Sequence, residues 1–369
     1  MWVADLVKGK GTKVLVAMSG GVDSSVAAAL LVSRGYQVIG LTMQIWQESQ
    51  RDPRHAGCCS LGAVEDARRV ARELDIPHYT INLKEEFKQA VINQFVDEYS
   101  RGRTPNPCVQ CNRHIKFEAL LERMEEFGCE KLVTGHYARI RYDRQTSQYR
   151  LMRSRAKDKD QSYVLYMLDQ TRLSKIMFPM GELPSKSYAR ELAQKLNLCV
   201  AKKPESQEIC FVSEAGGYRE FMRKTSPDSF ASGEIVDESG ALIGKHEGIA
   251  DFTVGQRRGL GVAVGKPLYV LQVLPESRKV VVGNAESLDT KDAYLDQIHS
   301  PMGSIQGSNI RVMAKVRYNM EPCSATLVLG SKPRLHFDRP VRAVTPGQIA
   351  VAYRGQTVVA GGTISGIRS

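Results

Sequence analysis

Apolar positions near the start of the chain come in short blocks. Val14-Leu15-Val16-Ala17 is long enough for a buried strand and too short for a helix, and Ser19-Gly20-Gly21 breaks it before a helical stretch from Ser24 to Arg34. Tyr36 to Ile45 reads as a second strand, Leu61 to Leu74 as an amphipathic helix, and His78 to Leu83 as a third strand. Strand and helix alternate, which predicts a parallel α/β sheet with right-handed crossovers. Glu85 to Ser100 and Ile115 to Phe127 carry helical spacing, and Lys131 to Thr134 reads as one more buried strand.

From about Ala215 the pattern changes. Glycine and β-branched residues dominate, Val280-Val281-Val282 alternates with turn signals such as Asp237 to Gly240, and Gly255 to Gly265 reads as a Gly/Arg-rich loop. Short strands are expected at Arg311 to Val316, Ala325 to Leu329, Gln348 to Tyr353 and Val358 to Ile364, at barrel-like spacing. An all-β half is therefore expected to follow an α/β half. The predicted units are a parallel Rossmann-like domain over 1–215, a small central mainly β domain over 216–287, and a C-terminal β-barrel over 288–369.

Length agrees with several units, because 369 residues exceed what one core usually serves. The 42% hydrophobic and 25% charged content is that of a globular protein. Met1 to Gly11 has too short an apolar run for a signal peptide, and no stretch reaches the roughly 20 apolar residues of a membrane span. A cytoplasmic protein without membrane association is expected. Eight cysteines are too sparse for a disulfide scaffold, which leaves reduced thiols, metal ligands or catalysts. The formal charge of +11 suits a polyanionic partner, although self-repulsion for solubility would account for it equally.

The most informative segment is Val14 to Ser25, VLVAMSGGVDSS, which sets two glycines and three serines between a strand and a helix start. Gly20 and Gly21 permit positive φ and close backbone approach. Exposed N–H groups, the helix dipole and the Ser19, Ser24 and Ser25 hydroxyls suit a phosphate, and Asp23 could hold Mg²⁺. No GxxxxGK[ST] pattern is present, so the loop differs from that of the commonest nucleotide hydrolases. SGGVDSS after a strand is similar to the signature of the ATP pyrophosphatase (PP-loop) family, which implies ATP binding and transfer of AMP to an acceptor. That resemblance implies nucleotide contacts at Ala17, Met18, Ser19, Gly20, Gly21, Val22, Asp23, Ser24 and Ser25, with Met43 and Gly135 along the adenosine.

Arg103 to Asn112, RTPNPCVQCN, reads as a loop stiffened by two prolines ahead of a helix at Ile115. It presents Cys108 and Cys111 near a helix start, where Arg101, Arg103, Arg113 and Lys116 would favour a thiolate. Lys202 to Phe211, KKPESQEICF, places Cys210 after a polar loop. Cys58-Cys59 has no assigned chemistry, and Cys129, Cys199 and Cys323 read as packing residues.

These two segments resemble the tRNA-specific 2-thiouridylase family along nearly the whole chain. GHYA at Gly135 to Ala138, KDQSY at Lys159 to Tyr163 and FTVGQRRGLG at Phe252 to Gly261 extend the likeness. The resemblance implies ATP-dependent replacement of the C2 oxygen of the wobble uridine by sulfur. Cys111 would be the nucleophile and Cys210 the persulfide carrier, the two closing as a transient disulfide. It also implies lysine, glutamate and glutamine tRNAs as substrates and a persulfide-donating protein as partner. RNA contacts would be Asn106, Pro107, Cys108, His136, Lys159, Asp160, Gln161, Arg317, Tyr318 and Gln348. Lys315, Arg317, Arg334, Arg339, Arg342 and Arg354 would embrace the tRNA body or simply be solvated.

Cys108 departs from the family, many of whose members have aspartate there. With Cys111 and Cys210 it could supply three ligands to an iron–sulfur cluster or zinc; a redox pair or a tolerated thiol are the alternatives. Competing readings are another PP-loop enzyme, either a small-molecule ligase or a cluster-dependent tRNA-thiolating enzyme, and a non-catalytic metal-dependent RNA-binding protein.

Overall fold

The computed structural model describes residues 11–46, 61–205, 209–262, 265–305 and 307–368. Cys58 and Cys59 lie outside the described residues.

The predicted strands of the first half assemble as a parallel sheet. β1 (Lys13–Ala17) pairs on one side with β2 (Gln37–Gln44), which pairs with β3 (His78–Asn82), and on the other side with β4 (Lys131–Val133). A hairpin of β5 (Ala138–Asp143) and β6 (Gln148–Arg153) intervenes in the chain before β7 (Ile176–Met177) closes the sheet beside β4. The order β3-β2-β1-β4-β7 reverses direction between β1 and β4. At such a reversal the loops leaving the two strands splay apart, and the crevice they leave is where open α/β sheets bind ligands.

Two helices pack on this sheet early in the chain. α1 (Val22–Val32) is so rich in alanine and valine that Ser24 to Leu31 are all buried, whereas α2 (Leu61–Glu73) buries one face. The helical runs 84–100 and 107–126 each contain a wider, π-type stretch, Lys88–Ile92 in the first and Cys111–Ala119 in the second.

Three expectations need correction. The helix expected at Ile115 begins at Pro107: Asn106 Oδ1 accepts from Val109 N at 3.4 Å and Pro107 occupies the first turn. Asn followed by Pro is a helix-starting pair, because Pro lacks the N–H that would be orphaned there; the cysteines therefore ride on the helix. The region after Ala215 is not β from its start, since Tyr218–Thr225 is a helix. Its Phe221 meets Trp46, Phe95 and Phe211, a ring cluster that ties it to the α/β unit. Finally, Cys199, expected in packing, is exposed.

The second half forms two further layers. β8 (Gly233–Val236), β9 (Leu242–His246), β10 (Tyr269–Leu274) and β11 (Lys279–Gly283) make a small sheet in the order β10-β11-β8-β9. β12 (Asp289–His299), β13 (Asn309–Lys315), β14 (Cys323–Val328), β15 (Arg334–Arg342), β16 (Ile349–Arg354) and β17 (Thr357–Arg368) form a six-stranded ring that a β12–β17 pairing closes. Closure removes the exposed edges of an open sheet.

The α/β unit and the barrel are joined along several segments. β6 extends the barrel sheet through Met152 against Thr357. On the other side, Thr104 N donates to Pro346 O at 2.9 Å and the Gln348 amide donates to Thr104 O at 2.9 Å. The 103–106 segment is thereby fixed by the barrel. Among the described residues, no helix is long and apolar enough to cross a membrane.

Candidate active site

The loop from Met18 to Ser25 lies at the reversal point. Met18 N donates to Leu41 O at 2.8 Å and Met18 O accepts from Thr42 Oγ1 at 2.8 Å, which clamps the loop entry to β2. Gly20 has φ +64°, and a Cβ there would stand 2.1 Å from Ala63 O, so no other residue fits. Gly135, which follows β4, approaches from the other side: its Cβ would stand 2.8 Å from Ser24 N. Hydroxyls hold the loop shape, since Ser19 N donates to Ser24 Oγ at 3.1 Å and Ser25 Oγ donates to Gly21 O at 2.8 Å.

Gly21 caps α1 without a side-chain bond, leaving the helix start open. Bare backbone, a glycine cradle and an uncapped helix N-terminus fit the phosphates of a nucleotide. Met43 is half-buried near the end of β2 on the same sheet edge. The fold thus brings Gly135 against the Ala17 to Ser25 segment.

Asp23 is held in a network that the sequence reading missed. Lys186 Nζ donates to both Asp23 oxygens at 2.6 Å and pairs with Glu205 at 3.2 Å, while Lys159 pairs with Glu205 at 3.0 Å. Tyr137 OH donates to Asp23 Oδ1 at 2.7 Å, and its phenol is pushed far above the ordinary range by burial and then by the Asp23 charge. Lys203 Nζ donates to Gly20 O at 3.0 Å and to Asp66 at 2.6 Å. Asp23 therefore offers Mg²⁺ no uncommitted oxygen in this arrangement, and the residues present do not fit the metal there. Lys186 carried one legible signal, a lysine right after the Ser185 cap of an otherwise surface-patterned helix.

The cysteines divide by exposure. Cys108 is exposed, whereas Cys111 and Cys210 are half-buried and pack against the same apolar cluster, which includes Val109, Phe117 and Phe211. Three of the four cations expected beside them have other partners: Arg101 pairs with Asp97, Arg103 with Glu98 at 2.6 Å, and Arg113 with the Tyr166 hydroxyl. Among the described residues, no three His, Cys, Asp or Glu side chains converge as a metal site. Cys108, Cys111 and Cys210 thus do not form the ligand set expected of a cluster or zinc; on the helix, Cys108 faces solvent while Cys111 turns to the core.

Three family models cover the chain in series. The tRNA methyl transferase HUP domain matches residues 12–214, the tRNA methyl transferase PRC-barrel domain 219–284, and the aminomethyltransferase beta-barrel domain 290–364. The tRNA-specific 2-thiouridylase MnmA of Carboxydothermus hydrogenoformans is 46% identical over 361 residues, covering 95% of this chain and 97% of that protein. The protein of the same name from Lachnoclostridium phytofermentans is 47% identical, covering 95% and 99%. The chain belongs to the tRNA-specific 2-thiouridylase family. Among solved structures, a 4-thiouridine synthetase–RNA complex with bound ATP is 18% identical with a TM-score of 0.36, covering 55% of this chain and 45% of that one.

The residues that the 2-thiouridylase resemblance assigns to RNA fall into two groups. His136 is buried, bonded to Thr134 Oγ1 at 2.7 Å and packed on Phe117 and Phe178, and burial holds its imidazole well below the usual histidine range. Asp160 is also buried, accepting from Arg153 Nε at 2.8 Å and from Ser154 N and Ser162 N. Gln161 accepts from Tyr137 N, Gln348 clasps the 104–105 backbone, Asn106 caps its helix and Pro107 is buried. These side chains are held by the fold itself.

Arg317, Tyr318, Cys108 and, in part, Lys159 are open to solvent. The Tyr318 phenol is pushed up to about 12, first by burial and then by the negative charges of Asp160, Cys108 and Glu205.

Proposed function

We propose that the chain activates the C2 oxygen of the wobble uridine of tRNA with ATP and replaces it by sulfur, as a tRNA-uridine 2-sulfurtransferase. One observation carries the reading: the segment leading into the Cys108–Cys111 helix is hydrogen-bonded to the barrel, while Lys203 and Glu205, just before Cys210, reach the phosphate loop through Gly20 O and Lys186. In this reading the nucleotide loop, the cysteine helix and the basic barrel serve one reaction site.

In this reading the Gly20–Ser25 backbone takes the pyrophosphate of ATP, and Lys186, drawn between Asp23 and Glu205, and Lys203, on Gly20 O, are cations at hand for it. The uracil oxygen attacks the α-phosphorus and pyrophosphate leaves, which converts a poor leaving group into AMP. The terminal sulfur of a Cys210 persulfide attacks C2, and AMP departs with the former oxygen. The Cys111 thiolate then attacks the inner sulfur and breaks the S–S bond. Sulfur stays on the base, and a Cys111–Cys210 disulfide remains for an external thiol to reduce. The half-buried setting of both thiols on one apolar cluster shields the persulfide from bulk solvent.

By resemblance, the substrates are the lysine, glutamate and glutamine tRNAs, the base flips from its stack to react, and a persulfide-bearing protein loads Cys210. Incubating the protein with tRNA, ATP, Mg²⁺ and a persulfide donor should release pyrophosphate and give 2-thiouridine at the wobble position by mass analysis of digested RNA. Pyrophosphate without thiolated RNA would indicate another PP-loop ligase. RNA binding without pyrophosphate would indicate a non-catalytic module. Thiolation by Cys210→Ser at the wild-type rate would overturn the proposed relay.

A further inference from the structure

The proposed reaction leaves a Cys111–Cys210 disulfide that must be reopened before the next turnover. Both residues are half-buried and pack against the apolar cluster that includes Phe211. A disulfide is opened by a thiolate that attacks one of its two sulfurs, so the rate depends on access to that sulfur. A half-buried pair is open to a small thiol and poorly placed for a protein. A further thiol within reach of Cys111, and itself exposed, would remove the difficulty.

Cys108 meets both conditions. It is exposed, and it lies three residues before Cys111 in the turn that Asn106 caps and Pro107 opens. The Cys111 N–H bonds to Cys108 O as well as to Pro107 O, and the first of these is the three-residue bond that tightens helix ends. Helical geometry puts the two Cα atoms about 5 Å apart, inside the range of about 4.4–6.8 Å that a disulfide spans. Cβ atoms at this spacing stand about 5–6 Å apart against about 3.8 Å in a relaxed bridge, so closing it draws the turn tighter. A disulfide that is strained and exposed is the kind that external thiols reduce readily.

Other described cysteines are not placed for this part. Cys129 is buried, Cys199 N donates to Glu73 Oε2 at 3.3 Å, and Cys323 lies on β14 of the barrel. None of them shares a helical turn with Cys111.

We infer that Cys108 is the resolving thiol of the reaction, which takes the disulfide over from Cys210 and presents it at the surface to a protein dithiol. The Cys108 thiolate attacks Cys111 Sγ. The Cys111–Cys210 bond breaks, and its electron pair leaves with Cys210 Sγ, which takes up a proton. One disulfide has replaced another, so nothing is oxidised or reduced in this exchange. The partner dithiol then attacks Cys108 Sγ, releases the Cys111 thiol, and closes as its own disulfide to release Cys108. Two electrons pass from the partner to this chain in that step. Cys210 is meanwhile free to be reloaded with sulfur. The inference rests on the proposed Cys111–Cys210 relay and names the class of partner that regenerates it. It belongs to this chain in particular, because many members of the family have aspartate in place of Cys108.

The test supplies full-length protein with tRNA, ATP, Mg²⁺ and one equivalent of a persulfide donor, without small thiols. After one turnover the thiols are blocked with iodoacetamide, and the unreduced digest is mapped by mass. Wild type should carry a Cys108–Cys111 disulfide, and Cys108→Asp, which restores the residue of many relatives, should stop at Cys111–Cys210. The wild-type map stands whether or not the variant folds. With excess donor and a thioredoxin-type protein dithiol as sole reductant, wild type should turn over repeatedly and Cys108→Asp should halt after a single turnover. Dithiothreitol, small enough to reach the half-buried pair, should restore the later turnovers; it would not repair a lost RNA contact. The inference is overturned if Cys111–Cys210 is the disulfide that wild type retains, if Cys108→Asp keeps its later turnovers with the protein dithiol, or if dithiothreitol restores nothing. Thiolation by Cys108→Asp without any Cys111–Cys210 disulfide would instead refute the relay, and absence of thiolation by wild type would refute the function itself.

Discussion

Gly135→Ala is the sharpest probe of the nucleotide site, because it adds one methyl group and no charge. That methyl would stand 2.8 Å from Ser24 N, 3.0 Å from Asp23 C and 3.1 Å from Asp23 Cβ. Ordinary carbon contacts begin near 3.5 Å, so the first turn of α1 must move by about 0.7 Å. It has little room, since Ser24 to Leu31 are buried on every side. Overpacking of this kind costs about 1–3 kcal/mol, or a Tm about 2–10 °C lower for a unit of this size.

The catalytic effect should exceed the stability effect. A displacement of about 1 Å costs about a hundredfold in rate, so about 0.7 Å moves kcat/KM for ATP down by about 25-fold. Pyrophosphate release at varied ATP, alongside a thermal melt, reads both quantities. Gly366→Ala is the control, because a Cβ there meets nothing within 4 Å. If Gly135→Ala kept kcat/KM within about twofold of wild type, the close approach of the β4 loop to α1 would have no bearing on nucleotide binding.

Lys186→Met should lower stability by about 3 kcal/mol in urea, since Asp23 would keep only Tyr137 as partner; adding Asp23→Asn should recover part of that loss but no pyrophosphate release, and a wild-type urea midpoint for the single variant would refute the network. His136 is held neutral by burial, so the unfolded chain binds more protons below the ordinary value of 6.5 and stability falls as pH drops through that window. His136→Asn should flatten the urea-derived slope by up to about 1.4 kcal/mol per pH unit relative to wild type, and identical slopes would show that its charging is not linked to folding. Iodoacetamide should label Cys108 before Cys111 and Cys210, and Cys129 last, because Cys129 is buried and burial pushes its thiol up; mass mapping that finds Cys129 modified first would contradict the packing.

What could be read from the sequence was what depends on neighbours in the chain. β1, the glycine turn and α1 form one continuous local signal, and the strands within 311–364 follow the alternation of a barrel. The helix start at Pro107 was misplaced because the same Asn-Pro pair that stiffens a loop also opens a helix; only the Asn106–Val109 bond separates the two. The hairpin of β5 and β6 lies in the α/β half yet extends the barrel sheet, a long-range pairing that period-two patterning within one segment does not reveal. His136 and Asp160 have residue types that suit RNA, but tertiary packing decided that Thr134 and Arg153 would occupy them first. Residue type names what a side chain can bind, and burial decides whether it remains available.

The segment that carries Cys210 shows how the two chemistries are joined. Lys203 holds the carbonyl of Gly20 and Glu205 holds Lys186, so both ends of the phosphate loop are gripped by residues just upstream of Cys210, the proposed sulfur carrier. Five residues span at most about 18 Å, which bounds the distance from Glu205 to Cys210. Any change in how Lys186 and Lys203 are shared between carboxylates and an incoming polyphosphate must therefore act on the stem of the Cys210 segment. Cys111, by contrast, rides on a helix whose preceding loop is pinned by Pro346 and Gln348 of the barrel. One thiol is thus tethered to the nucleotide loop and the other to the basic barrel, so the proposed sulfur transfer between them requires both neighbours to be in register.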